Sequence, residues 1–234
     1  MIFKQLFDKE SSTYTYFLAD ATTKEAVLID PVDSQIEVYL ALLASSDYLL
    51  KYSLETHVHA DHVTASGDLR NRTQAQTGVS QKCGAVNASL QLNDGDILQF
   101  GRYALKVIAT PGHTAGSVSY MCKNRLFTGD ALLINGCGRT DFQGGSARML
   151  FDSITQKIFT LPDETLIYPA HDYSGKRVSC VGQEKTINPR LAGKNCEEFL
   201  SIMNNLKLPK PKLIDIAVPA NRMCGVTEEM VQQG

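Results

Sequence analysis

The sequence lacks three features that would assign it to common classes of protein. Lys and Arg number 23 against 25 Asp and Glu, so it has no basic excess of the kind expected on a nucleic-acid-binding surface. It has no run of about 20 apolar residues, the length that a membrane-spanning helix needs. Its six cysteines include no C-x-x-C pair, which favours reduced thiols over a disulfide framework or a zinc ribbon. We therefore expect an ordinary globular chain with neither nucleic-acid nor membrane partners.

The first residues, MIFKQLFDKESS, do not have the pattern of a targeting segment. Acidic residues follow a short apolar run, which is unlike the long apolar core of a secretion signal and unlike an Arg-rich, acid-poor transit peptide. The expected location is therefore the cytoplasm, or the mitochondrial matrix if a transit peptide has been removed.

Apolar periodicity and turn residues predict strands and helices that alternate along the chain. Strands are predicted at 14–18, 26–29, 48–56, 97–100, 103–109, 117–121, 126–128 and 165–168, and helices at 34–44, 63–76, 147–160 and 196–206. The first of these strands alternates as a half-buried strand does. No Pro/Gly/Ser-rich linker or internal repeat interrupts the chain, so we expect one α/β domain over 1–234, with two mixed sheets covered by helices.

Histidine is scarce, yet all five histidines fall in three short motifs. These are His57, His59 and His62 in H-x-H-x-D-H, His113 in PGHTAGS and His171 in PAHDY. Alternate residues of an extended segment project to the same side, so His57 and His59 are expected to share one face. Such a concentration of imidazoles indicates a site for chemistry, because buried imidazoles without compensating partners are costly.

Carboxylates accompany these histidines and complete a ligand set. Asp61 lies inside the first motif, and Asp130 ends the strand predicted at 126–128. Imidazole and carboxylate ligands together suit Zn, Fe, Mn or Ni better than Ca or Mg. A transition-metal site is therefore predicted, although Asp61 is equally well placed to cap the helix predicted at 63–76.

Taken in order, THVHADH, PGHTAGS, FTGD and PAHDY resemble the metallo-β-lactamase superfamily. That resemblance implies an αββα sandwich, two mixed sheets flanked by helices, with metal sites at strand ends. More specifically, GCGRTDFQGG, EKTINPRL and the C-terminal AVPAN segment resemble the persulfide dioxygenases related to the ethylmalonic encephalopathy protein, over nearly the whole chain. This family oxidises glutathione persulfide with O2 to sulfite and glutathione at one Fe(II), in sulfide and persulfide catabolism.

The resemblance implies that His57, His113 and Asp130 bind the iron. Two imidazoles and one carboxylate leave open positions for substrate and O2. Four further residues would hold a second ion in the hydrolytic branch of the superfamily, and here they are expected to orient the ligands and handle protons without binding metal: His59, Asp61, His62 and His171.

The carboxylates of glutathione call for arginine, whose planar guanidinium binds a carboxylate in two places. We expect Arg139 in GCGRTDF to fill this role first, followed by Tyr173 and Arg190, although either arginine could instead pin a loop. The chain reads Arg222-Met223 after PAN, where the family has an apolar residue followed by a basic one. If this segment is a loop at the substrate pocket, Arg222 would alter which persulfide is preferred.

Two other functions remain open. A glyoxalase II type thioesterase, a binuclear hydrolase of acylglutathiones, needs the same seven ligand-type residues. It usually carries a longer helical substrate domain than the 63 residues that follow His171 here. A noncatalytic metal or persulfide sensor on the same fold would show a lost ligand or an added output domain, and the sequence has neither. Several relatives of the dioxygenase family form dimers, so the resemblance also implies a homodimer.

Overall fold

A computed structural model of the chain describes residues Met1–Gly225. The strands are β1 Ile2–Asp8, β2 Thr13–Ala19, β3 Glu25–Ile29, β4 Leu49–Leu54, β5 Gln76–Ser80, β6 Leu90–Leu92, β7 Ile97–Phe100, β8 Tyr103–Ala109, β9 Val118–Cys122, β10 Arg125–Gly129, β11 Leu166–Pro169 and β12 Ser179–Cys180. The α-helices are α1 Ile36–Ala44, α2 Ser66–Thr73, α3 Ala147–Ser153, α4 Val181–Ile187, α5 Cys196–Asn204 and α6 Ile214–Arg222. No helix within residues 1–225 is long and apolar enough to cross a membrane.

The strands form two six-stranded sheets, in the orders β1-β2-β3-β4-β5-β6 and β12-β11-β10-β9-β8-β7. In the first sheet β1, β2 and β3 are antiparallel neighbours, whereas β3 to β6 run parallel. In the second sheet β10 and β11 are parallel, and β10 is antiparallel to β9. Both sheets are therefore mixed, as predicted from the sequence.

The chain divides into two compact units, which are described separately. One comprises residues 1–92, 98–104 and 210–225, and the other comprises 93–97 and 105–209. The expected single domain over 1–234 stays a prediction, and its last residues, 226–234, lie outside the described part of the chain.

In the first unit, α1 and α2 pack on one face of the first sheet. Tyr39 and Leu43 of α1 and Leu69 of α2 bury their side chains with Phe17 of β2 and Leu28 of β3. Tyr39 and Leu43 are four positions apart in α1, and Phe17 and Leu28 each share the core with a residue two positions away in the same strand, Ala19 and Ala26. These periods place side chains on one face. Apolar burial of this kind holds the helices on the sheet.

Strand β2 was predicted to be half-buried, and this is wrong because both of its faces are buried. The alternation assigns the face of Thr13 and Thr15 to solvent, but Thr15 is buried and lies 2.9 Å from the hydroxyl of Tyr39 in α1. Tyr14 and Tyr16 lie on the other face. Tyr14 packs against Phe7 with ring centroids 4.9 Å apart, and Tyr16 stacks on Phe3 at 6.2 Å. Aromatic pairs between neighbouring strands stabilise a sheet, so tyrosine here serves as a buried residue.

In the second unit, α3 and α5 pack on the second sheet. Leu150 of α3 and Phe199 of α5 lie in one core with Leu126 of β10 and Ile167 of β11. The helix predicted at 147–160 is α3 followed by a π-helical turn over Ile154–Ile158. The helix predicted at 196–206 is α5.

The segment that contains PAN was expected to be a loop, and this is wrong because it lies in α6. Pro219 sits inside this helix and has no N–H to donate to the preceding turn, which removes one helical hydrogen bond. Asn221 is nevertheless buried and Arg222 is exposed, at the end of the helix. A proline in the segment masks its helical character in the sequence.

Candidate metal centre

Three of the predicted site residues, and two carboxylates to which the sequence analysis gave no role, follow strands at their carboxyl ends. In the first sheet β3 and β4 are parallel, and Asp30 follows one while Glu55 and His57 follow the other. In the second sheet β10 and β11 are parallel, and Asp130 and His171 follow them. Because parallel neighbours end at the same edge, each sheet gathers its own polar groups there.

Thr56 fixes the orientation and tautomer of His57 in the first unit. The hydroxyl of Thr56 donates to Asp30 Oδ2 at 2.9 Å, and its backbone N–H donates to Asp30 Oδ1 at 2.7 Å. The hydroxyl hydrogen is thereby used, so the 2.9 Å contact from Thr56 Oγ1 to His57 Nδ1 is one in which the ring nitrogen donates. His57 Nε2 then carries the lone pair that a metal requires.

His59 is buried among carboxylates. Its Nε2 lies 3.2 Å from Asp30 Oδ1 and 3.5 Å from Glu55 Oε2, and its Nδ1 lies 3.8 Å from Asp61 Oδ1. His62 Nδ1 lies 3.0 Å from Asp61 Oδ2. The atoms of His59, Asp61 and His62 that could hold a metal lie within 4.8 Å of one another. The structure thus brings together the three residues of H-x-H-x-D-H that were expected to surround the ligands.

Asp61 does not cap the helix that follows it, so that alternative is wrong. Helix α2 begins at Ser66, and its N-cap residue is Ala65. The side chain of Asp61 instead accepts a hydrogen bond from Thr13 at 3.2 Å and contacts His62. The helix starts later than predicted because the chain from residue 55 to residue 65 follows an irregular, bent path.

Two buried carboxylates support this motif from β3 and β4. Burial raises the pKa of Asp30 above its usual value. Burial, with the nearby Asp30 carboxylate as a second cause, raises the pKa of Glu55 well above its usual value. Glu55 Oε1 accepts hydrogen bonds from Ser66 Oγ at 2.5 Å and from Thr64 Oγ1. Both carboxylates therefore accept hydrogen bonds from neighbouring hydroxyl or backbone N–H groups.

In the second unit, Asp130 lies between two histidines. Its Oδ2 is 3.6 Å from His113 Nε2, and its Oδ1 is 3.7 Å from His171 Nε2. Asp130 Oδ1 is buried and has no hydrogen-bond partner among residues 1–225. A buried carboxylate oxygen in that state is costly unless a cation binds it. The residues present therefore fit a transition metal, both by this oxygen and by their imidazole and carboxylate chemistry.

The tautomer of His113 is fixed by the loop that follows β10. Its Nδ1 lies 2.7 Å from the carbonyl oxygen of Arg139, which can only accept, so Nδ1 donates and Nε2 keeps the lone pair. Gly138 permits this approach, since a Cβ at that position would lie 2.8 Å from His113 Nδ1 and would also collide with the carbonyl of Asp130. Glycine is therefore required where the loop passes these two residues.

The residues expected to bind glutathione differ in what they contact. Arg139 binds Asp141 through two hydrogen bonds, of 2.6 and 2.7 Å. Arg190 donates to the carbonyl of Cys137 at 2.6 Å. Tyr173 is 77% exposed, and its ring is parallel to that of His171 with centroids 6.2 Å apart. Tyr173 is thus the member of this set that presents most surface to solvent.

Sequence reasoning assigned no role to Asn221, although it lies in the PAN segment. Its Nδ2 donates to the carbonyls of His59 and His62 at 2.9 and 2.8 Å, and its Oδ1 accepts from the backbone N–H of Thr64 at 2.9 Å. All three hydrogen bonds go to the segment that carries the histidine motif. The one sequence signal for a role of Asn221 was that the PAN segment is specific to one family. Its hydrogen-bond partners could not be found in that way, because they lie about 160 residues earlier in the chain.

Comparison with known proteins shows which family and fold this chain is similar to. The model of the metallo-β-lactamase superfamily matches residues 8–83 and 85–171. The mitochondrial persulfide dioxygenase ETHE1 of Mus musculus is 50% identical over 97% of this chain and 89% of its own length. The crystal structure of ETHE1 from Myxococcus xanthus is 57% identical, with a TM-score of 0.95 over 97% of this chain and all of that one. The predicted metallo-β-lactamase fold is confirmed.

A hydrolase of the same superfamily is less similar. The hydroxyacylglutathione hydrolase of Thermosynechococcus vestitus is 37% identical and covers 77% of this chain and 72% of its own length. The dioxygenase similarity is both higher and longer, and it extends beyond residue 171 into the last third of the chain. The comparisons therefore favour the dioxygenases over the thioesterase alternative.

Proposed function

Because this chain belongs to the metallo-β-lactamase superfamily and, within it, to the persulfide dioxygenases, we propose that it oxidises glutathione persulfide with O2 at one Fe(II). The chain is an oxidoreductase, a sulfur dioxygenase, and the predicted activity is confirmed at that level. The observation that carries the conclusion is 50% identity over 97% of the chain to a persulfide dioxygenase. Iron and glutathione persulfide are the parts that we propose.

We propose that His57, His113 and Asp130 bind the iron. Each histidine donates from Nδ1 to a fixed neighbour, which leaves Nε2 as the ligand atom. Asp130 contributes a buried carboxylate oxygen without a hydrogen-bond partner in the described part of the chain. Iron bound by these groups would supply the redox chemistry that couples oxidation of sulfur to reduction of O2.

The proposed reaction is GSSH + O2 + H2O giving GSH, sulfite and two protons. The persulfide as a whole loses four electrons, as its outer sulfur becomes sulfite and its inner sulfur becomes the thiol of GSH, and O2 gains four, so no other reductant is needed. The released protons require acceptors, and we propose that the residues around the ligands fill this role. Asp61 is 31% exposed in its side chain and lies 3.0 Å from buried His62, so this pair connects the motif to solvent.

Substrate contacts are proposed for Tyr173 and Arg190, whereas the side chain of Arg139, which was expected to bind glutathione first, is bound to Asp141 and to the carbonyl of Pro209. The exposed ring of Tyr173 lies parallel to His171, which contacts Asp130, and this supports a place for Tyr173 beside the substrate. Arg222 is exposed at the end of α6, and its effect on substrate preference stays a prediction. A cytoplasmic or mitochondrial location and a homodimer also stay predictions.

The test is the metal content per chain of anaerobically purified protein, together with O2 uptake on adding glutathione persulfide. We expect one iron per chain and persulfide-dependent O2 uptake, with release of sulfite. Asp130→Ala should abolish both iron binding and O2 uptake. The matched control is Asp163→Ala, because Asp163 is a 70% exposed carboxylate paired with Lys185, and it should leave both unchanged.

Two metal ions per chain, no O2 uptake and cleavage of an acylglutathione would contradict the proposal. His59, Asp61, His62 and His171 would then be ligands in their own right, as in the hydrolases.

A further inference from the structure

The segment 138–146 connects His113 to a distant part of the same unit through one residue. The backbone carbonyl of Arg139 accepts from His113 Nδ1 at 2.7 Å. The side chain of Arg139 contacts other residues. Its Nη1 donates to the carbonyl of Pro209 at 2.6 Å, and its Nη2 donates to the carbonyl of Leu208 at 3.3 Å. One residue thus contacts the histidine with its backbone and the chain at 208–209 with its side chain.

The guanidinium of Arg139 is held from several sides. Asp141 binds Nε and Nη2 in two parallel hydrogen bonds, the strong geometry for an arginine and a carboxylate. The guanidinium carbon also lies 4.6 Å from the ring centroid of Phe142. With 15% of its side chain exposed, Arg139 has little freedom, so its backbone carbonyl is fixed in place.

The usual expectation for an arginine at this position is a carboxylate of the substrate. Arg139 does line an open cavity of about 390 Å³, together with Thr140, Asp141 and Met203. However, the donors at Nε, Nη1 and Nη2 already have acceptors from the protein. A substrate carboxylate that bound in the same two-pronged way would have to displace Asp141.

We propose that Arg139 is a positioning residue for His113: Asp141 and the 208–209 carbonyls hold its side chain, so that its backbone carbonyl holds the histidine ring in the ligand orientation. The proposal rests on the proposed function in taking His113 as a metal ligand. Partners of this kind fix the tautomer and ring angle of a ligating histidine, and their loss costs about 10- to 100-fold in metal affinity.

The experiment compares Arg139→Gln and Asp141→Asn with the wild-type protein. Asp141 is the decisive position, because it contacts the side chain of Arg139. If Arg139 bound the substrate by itself, Asp141 would contribute nothing to substrate binding. The matched controls are Arg148→Gln and Glu197→Gln, an exposed arginine–carboxylate pair joined at 2.7 Å in the same unit. The readouts are the iron retained per folded chain at graded chelator concentrations, and kcat and KM for glutathione persulfide.

Both test variants should lose iron at chelator concentrations at least about tenfold lower than the wild-type protein needs. The control variants should retain iron as the wild-type protein does. When loaded with iron, they should show a lower kcat with little change in KM. Wild-type iron retention in both variants would overturn the inference, whether or not KM rises. A purely structural role would lower the melting temperature without changing iron retention by the folded fraction, and this outcome would also overturn it. Absence of iron or O2 uptake in the wild-type protein would instead overturn the proposed function.

Discussion

At the scale of single residues, the two proposed ligand histidines share one arrangement. The Nδ1 of His57 donates to a threonine hydroxyl, and the Nδ1 of His113 donates to a backbone carbonyl. Each acceptor is itself held in place. The hydroxyl of Thr56 donates to Asp30, and the carbonyl of Arg139 belongs to the loop 138–146. The chemistry of a metal ligand therefore depends on residues that would never bind the metal.

Thr56→Val should weaken iron binding, because valine keeps the shape of threonine but cannot link Asp30 to His57. We expect about 10- to 100-fold lower affinity for iron, measured as iron retained against a chelator. Thr56→Ser is the matched control, since serine keeps the hydroxyl, and it should bind iron close to the wild-type level. Equal retention by the valine and serine variants would show that this hydroxyl does not orient His57.

Asp20, which is not among the proposed site residues, gives a prediction on the pH dependence of stability. Its carboxylate is buried and accepts hydrogen bonds from Arg102 Nε and Nη2 at 3.0 and 2.9 Å. These bonds to Arg102, followed by the backbone N–H of Thr22, hold the pKa of Asp20 far below its usual range. The folded pKa is depressed, so the stabilisation is complete above the unfolded pKa of about 3.9 and is lost as pH falls towards the folded value.

Asp20→Asn should therefore lower the melting temperature at pH 7, and its difference from the wild-type protein should shrink as the pH falls below about 4. Thermal unfolding, followed by circular dichroism between pH 3 and pH 7, measures this difference in melting temperature. Glu37→Gln is the control, because Glu37 is 75% exposed in its pair with Arg72, and such pairs contribute little. A difference of the same size at pH 3 and pH 7 would mean that the ionised carboxylate is not the source.

At the scale of elements, α6 acts on the histidine motif through Asn221. A helix whose sequence contains a proline is an unusual support for a site, yet its last turn supplies three hydrogen bonds to the segment 59–64. The amide of Asn221 has two donors and one acceptor in use, which matches two carbonyls and one N–H. No other residue type offers this combination at the same size.

Asn221→Asp keeps the size of the side chain but removes both donors, so the carbonyls of His59 and His62 lose their partner. We expect the free energy of unfolding to fall by about 1–3 kcal/mol, measured by urea denaturation. Asn71→Asp, at an exposed position of α2, should change it by less than about 0.5 kcal/mol. If the two substitutions have equal effects, the hydrogen bonds of Asn221 do not stabilise the fold.

At the scale of the whole molecule, the proposed ligands come from separate strands, so only the folded chain can bring them to one ion. An ion that binds the folded state alone stabilises it by about 2.7 kcal/mol at 100 times its dissociation constant. Removing iron with a chelator should therefore lower the melting temperature by roughly 5–10 °C. The chelator should not change the melting temperature of Asp130→Ala. If the chelator also leaves the melting temperature of the wild-type protein unchanged, the assigned ligands are contradicted.

Several elements were missed by sequence reasoning for identifiable physical reasons. Strand β5, with the sequence QTGVS, has no apolar run, and it is buried because it lies between β4 and β6. Strand β12 has two residues, too few for any periodic pattern. Helix α6 contains Pro219, which argues against a helix when only local propensity is considered. In each of these, contacts within the fold override the local signal.

The amino-acid sequence by itself determined the type of most elements and the candidate metal-ligand residues, because strand alternation and short motifs such as H-x-H-x-D-H are visible in local sequence. Only the tertiary structure decided what those residues contact. The carbonyl of Arg139 on His113 and the amide of Asn221 on His59 join residues that are 26 and 162 positions apart. Hydrogen bonds over such separations depend on how strands and helices pack, and local sequence patterns carry no information on that packing.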